Sequence, residues 1–127
     1  MRSICAGDHT PDVAGWDDVI AIGERFPGVE ISTSYGRPAL KVAGKFMCAV
    51  RENPDAFVFR VLDVPDQQAL LQGEPDVFFT TPHYDGWPYV LVRMETVSTE
   101  QLEELIEDAW RIRASKKLVT EYERATS

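Results

Sequence analysis

The chain has 127 residues, 13 basic and 21 acidic side chains, a net charge of −8, and 44% apolar against 27% charged content. One domain is the natural reading at this length: it can bury a core without disulfides or metal, and its apolar share is that of a globular chain. The longest apolar run, Phe46 to Val50, falls far short of the roughly 20 residues a membrane-spanning helix needs, and the acidic balance counts against a general nucleic-acid binder, which usually carries a basic domain.

Residues 1–10 lack periodicity and read as a loose tail, with residues 11–127 as a single domain. Nothing in the first fifteen residues, which include Arg2, Asp8, Pro11 and Asp12, resembles a secretory signal, so the expected compartment is the cytosol. Thr10-Pro11-Asp12 reads as a helix start, Trp16, Val19, Ile20 and Gly23 follow at helical spacing, and Pro27-Gly28 ends the element. Period two comes next. Leu40 and Val42 alternate with Ala39 and Lys41, and Phe46, Cys48 and Val50 with Lys45, Met47, Ala49 and Arg51, about a turn at Gly44. Phe57 to Leu62 reads as a third strand and Pro65 to Leu71 as a short helix stopped by Gly73 and Pro75. Val77 to Thr81 and Tyr89 to Met94 then make two more strands. Asp85-Gly86 between them is a favoured hairpin pair, but Pro82 and Pro88 cannot donate to a ladder, so a looser loop is expected. The last helix opens with a capping box, Ser98-Thr99-Glu100-Gln101, and carries Leu102, Leu105, Ile106, Ala109 and Trp110 on one stripe. This order predicts an α+β fold in two layers, an antiparallel sheet covered by helices on one face.

Strand parity sends Leu40, Val42, Phe46, Cys48, Val50, Val90, Val92 and Met94 inward. The opposite parity collects Lys41, Lys45, Arg51 and Arg93, with Arg60 joining if Phe57, Phe59 and Val61 point inward, interleaved with Met47, Leu91 and Tyr89. The acids concentrate on the helices. An acidic chain can thus carry a basic sheet face suited to phosphates, with Tyr89 and Trp87 available to stack on bases; the same cations would also serve solubility and discourage edge pairing. Charge steps again at Trp110. Residues 1–110 hold 8 basic and 19 acidic side chains, net −11, and residues 111–127 hold 5 and 2, net +3. Macrodipole pairing explains the direction of that gradient. It does not explain the crowding of Arg111, Arg113, Lys116 and Lys117.

Catalytic and cofactor signatures are missing. His9, His83, Cys5 and Cys48 have no metal-ligand spacing, Gly23 and Gly28 are followed by Val29-Glu30 where a phosphate loop needs Lys-Ser/Thr, and Cys48 falls on the inward parity. No cofactor, metal or enzymatic activity is expected. The one dense stretch is Thr80-Thr81-Pro82-His83-Tyr84-Asp85-Gly86-Trp87-Pro88, which reads as a ligand or partner loop more than a catalytic one, since His83 and Asp85 would share a face only if extended.

Pro27-Gly28-Val29-Glu30, Tyr35-Gly36-Arg37-Pro38-Ala39-Leu40-Lys41-Val42-Ala43-Gly44-Lys45, Thr80-Thr81-Pro82-His83-Tyr84, and Ala109-Trp110-Arg111 with Lys116-Lys117-Leu118 resemble the MmcQ/YjbR family of small bacterial proteins. The resemblance runs from about Asp12 to Glu121 and implies an α-β(3)-α-β(2)-α fold similar to that of secretion chaperones. It also implies the family's DNA-binding label, with two hairpin wings on nucleic acid. Asp85-Gly86-Trp87-Pro88 departs from a more basic Asn-Lys-x-His-Trp type of stretch, removing cations a DNA contact would use. Three functions are therefore expected to compete. One is a nucleic-acid module on the strand cations and the Arg111 to Lys117 cluster. The second is a protein-interaction module using Met47, Leu91 and Tyr89. The third is an anion or small-molecule pocket between the His83 loop and the first hairpin, with Arg37 or Lys45 as counter-charge.

Overall fold

The computed structural model describes residues 14–52 and 55–126. Its elements are α1 (Trp16–Gly23), β1 (Val29–Ser34), β2 (Arg37–Val42), β3 (Lys45–Arg51), β4 (Ala56–Arg60), α2 (Val64–Gly73), β5 (Phe78–Phe79), β6 (Tyr89–Val92), α3 (Thr99–Arg113) and α4 (Lys116–Thr126). The strands pair antiparallel throughout, in the order β1-β2-β3-β4-β6-β5. The expected class holds: an α+β fold with one face of the sheet under helices.

Local chemistry explains most element ends. Ser98 Oγ accepts from Gln101 N–H at 3.0 Å and Gln101 Oε1 accepts from Ser98 N–H at 2.9 Å, closing the expected capping box on α3. Asp63 Oδ1 caps α2 by accepting from Asp66 N–H at 2.9 Å. The tail and the helix start read at Thr10-Pro11-Asp12 lie outside the described residues. Ala14 and Gly15 are not helical, so α1 is started at Gly15, whose N–H donates to Asp18 Oδ2 at 2.8 Å.

Two elements exceed the expected order. β1 adds a strand before the first hairpin, and the last helix is two helices, broken where Ala114 turns extended and restarted where Ser115 Oγ accepts from Leu118 N–H at 3.2 Å. Lys116 and Lys117 therefore occupy the first turn of α4, where the macrodipole opposes cations. The turns Tyr35-Gly36 and Ala43-Gly44 each hold two successive residues at positive φ, 52° and 78°, then 53° and 76°. That backbone is the type I′ turn, whose twist matches two antiparallel strands.

The main core lies between sheet and helices, built from Leu40, Cys48, Phe57, Phe59, Val90 and Val92 against Val19, Ile22, Leu102, Ile106 and Trp110. Burial pushes the Cys48 thiol well up, so it stays protonated and acts as a small apolar side chain. Trp110 is fully buried, its indole N–H donates to Pro27 O at 2.9 Å, and its ring lies 5.3 Å from Phe26 and 5.2 Å from Tyr122 of α4.

A bulge between β2 and β3 corrects the expected parity. Leu40 pairs with Cys48, yet Lys41 pairs with Phe46, which leaves Met47 as the extra residue. Phe46 consequently leaves the helix side for the open face, where its ring meets Tyr89 edge-on at 5.8 Å, and Met47 turns into the core at 0% exposure. Lys45 pairs with Val42, a core residue, and so does not share a face with Lys41.

Candidate functional site, an open-face groove

Pairing aligns Ser32, Ala39, Ala49, Val58, Leu91 and Phe79 across the open face, each opposite the next. The two alanines are short, while Phe46 and Tyr89 beside them are tall, so this side of the sheet carries a trough. The loop between β5 and β6 folds back over its far end, where Tyr84 packs on the small cluster of Ala56, Val58 and Leu91. Together they enclose a groove of about 1200 Å³.

Three cations line the groove: Arg37 and Lys41 from β2 and Arg51 from the end of β3. So do five aromatic side chains, Tyr35, Phe46, Tyr84, Trp87 and Tyr89, together with His83. No lining residue is acidic, although the chain carries a net charge of −8. The nearest opposing carboxylate by strand pairing is Glu30, across from Lys41 on the edge strand. Tyr35, at the hairpin tip, is fully exposed, and Trp87, in the loop, is 62% exposed.

Gln67 of α2 fixes the loop. It is completely buried, and its Nε2 donates to Tyr84 O at 3.2 Å and to Tyr89 O at 2.8 Å, tying the loop to the base of β6. Gln67→Met keeps the shape and removes both donors, stranding two carbonyls. The expected cost is about 1–3 kcal/mol, seen as a lower urea midpoint with faster amide exchange at residues 84–89 than in α3. Unchanged exchange in that loop would contradict the role assigned to Gln67.

The remaining expected contacts are distributed differently. Arg60 and Arg93 share the open face but lie on rings outside the groove, Arg60 at 5.9 Å from the Tyr89 centroid and Arg93 at 4.4 Å from that of Phe79. Arg111 is engaged by Glu107 at 2.8 Å and Glu123 at 3.0 Å, and Arg113 Nε donates to Phe46 O at 3.0 Å. Thus the cluster from Arg111 to Lys117 does not join the groove: two of its four cations serve helix packing, while Lys116 and Lys117 are exposed. Lys45 lies outside the groove as well, which leaves Arg37 as the counter-charge near the His83 loop. Asp85 does not line the groove, and the His83 ring stands edge-on to Tyr84 at 4.7 Å. Met47 and Leu91, expected as a protein-partner surface, are both fully buried, Met47 by the bulge and Leu91 by the returning loop.

A second, smaller cavity of about 110 Å³ lies against α2 and α3 and is acidic, with Asp66, Glu74, Glu104 and Asp108 around Arg60. Among the described residues no group of three or more His, Cys, Asp or Glu side chains could hold a metal ion. The Asp108 carboxyl is raised, first by partial burial and then by Glu107, Asp66 and Glu104, against the opposing pull of Arg111. A raised carboxyl means the folded state keeps a proton that the unfolded state has lost. Stability therefore falls as pH rises through that window and stays lower at neutral pH. Asp108→Asn is expected to raise the thermal midpoint at pH 7, with the gain vanishing below the ordinary carboxylate value of 3.8. A gain that persists in acid would contradict this assignment.

Comparison with known proteins connects this architecture to a family. Residues 24–112 match the family model described as YjbR, spanning the sheet, α2 and nearly all of α3. The chain belongs to the YjbR family. Among its relatives are two proteins named as uncharacterized, Rv2570 of Mycobacterium tuberculosis (strain ATCC 25618 / H37Rv) and Mb2600 of Mycobacterium bovis. Each is 36% identical over 121 residues, covering 84% of this chain and 94% of the relative. The fold is shared with the crystal structure of Deinococcus radiodurans protein DR2400, which carries the domain DUF419. That likeness has a TM-score of 0.66 at 18% identity and covers 90% of this chain and 91% of the other. In this YjbR chain α4 lies beyond the matched segment and closes over Trp110 through Tyr122.

Proposed function

We propose that the open-face groove of this YjbR protein binds nucleic acid without a chemical step, phosphates lying on Arg37, Lys41 and Arg51 and bases on the surrounding rings. The observation that carries this reading is the convergence of three cations on an aromatic groove whose lining holds no acid, in a chain whose net charge is −8. Undirected surface charge would not be expected to sort itself so completely. Size favours a polymer over a metabolite, because a groove of about 1200 Å³ exceeds the roughly 300–1,000 Å³ of small-ligand pockets. The acidic remainder of the surface repels phosphate at long range, so binding is local and sensitive to salt rather than general.

Fluorescence anisotropy with short labelled single- and double-stranded DNA at low salt tests the proposal. Three phosphate contacts at about 0.7–0.9 each give a slope of log affinity against log salt between about −2 and −3. No detectable association with either form of DNA would overturn it.

A further inference from the structure

We infer that the strand this groove takes is unpaired, its bases stacking on the exposed rings of Tyr35 and Trp87 and on the half-buried rings beneath them. This rests on the nucleic-acid reading above and narrows it. In a duplex the base faces are stacked on one another and only their edges appear in the grooves. Rings set into a recess would then meet sugar and phosphate and gain little. An unpaired strand offers every base face, and stacking on aromatic side chains tolerates any sequence.

Four features support the unpaired form. Phe46, Tyr84 and Tyr89 make a continuous aromatic floor, with Tyr89 at 5.8 Å from Phe46 and 6.1 Å from Tyr84. Tyr35 stands fully exposed at the hairpin tip with φ 52°, a left-handed backbone that Asn or Gly adopts far more readily than a bulky ring. Such an unfavourable residue contributes nothing to the core. Trp87 stands 62% exposed on the other loop, and both rings line the same groove. Charge points the same way: a duplex brings one phosphate per roughly 1.7 Å of axis, doubling the repulsion a chain of net charge −8 exerts on it.

The test uses the full chain with a labelled homothymidine oligonucleotide, an abasic strand of equal length and a blunt duplex. Binding of the homothymidine strand at least tenfold tighter than both others is expected, with Tyr35→Ala and Trp87→Ala each weakening it about tenfold or more. Because both rings are exposed, these variants keep the fold, which circular dichroism verifies. Equal or tighter duplex binding, or equal binding of the abasic strand, would overturn the unpaired-strand inference and leave the nucleic-acid reading in place. Absence of binding to all three would overturn both.

Discussion

Replacing Trp110 by alanine is expected to cost about 3–5 kcal/mol of folding stability, the largest single-residue loss in the molecule. The side chain is fully buried between α3, the turn after α1, and α4, and it contacts both Phe26 and Tyr122. Truncation opens a cavity at the junction of three elements and also strands the Pro27 carbonyl, which accepts the indole N–H at 2.9 Å. Domains of this size have roughly 5–15 kcal/mol in all, so the variant stays folded only near the upper end. With a urea slope near 2 kcal/mol per molar, the midpoint should fall by about 2 M. Trp87→Ala is the contrast, since an exposed ring outside the core should change stability by no more than about 0.5 kcal/mol. Equal losses at the two tryptophans would contradict the division between core and groove.

The second large effect is on binding. Arg37→Glu combined with Lys41→Glu removes two of the three groove cations and plants two carboxylates on the same strand face. Hydrogen bonds to charged groups contribute about 1.5–3 kcal/mol each, so losing both should weaken oligonucleotide binding by about a hundredfold or more. The salt slope should flatten toward that of the single remaining cation, Arg51. Lys116→Glu with Lys117→Glu makes the same change in net charge away from the groove and should leave affinity within a fewfold. If the helix pair mattered as much as the strand pair, the long-range field rather than the groove would govern binding.

Much of this was legible in the residues. The capping box at Ser98 and Gln101, the α2 stop at Gly73, the loose loop about Pro82 and Pro88 and the one-sided helical cover all follow from local chemistry that tertiary contacts had no reason to override. β1 was harder to see because Val29, Ile31 and Thr33 supply only two strongly apolar side chains, although the alternation and the Tyr35-Gly36 turn were signals for it. The floor of the groove was misread for a different reason. A bulge is a one-residue slip in pairing, and nothing in the run from Lys45 to Arg51 marks Met47 as the extra residue, so Phe46 was assigned to the wrong face. The cluster from Arg111 to Lys117 was read as one patch because the helix break at Ala114 carries neither Gly nor Pro.

Mapping amide chemical shifts during titration with a short single-stranded oligonucleotide tests the groove most directly. Shifts concentrated at Arg37, Lys41, Ala49, Val58 and Thr81, with the Trp87 indole N–H moving and α4 silent, are what the account predicts. Shifts centred on Lys116 and Lys117, or spread evenly over the helical face, would contradict it.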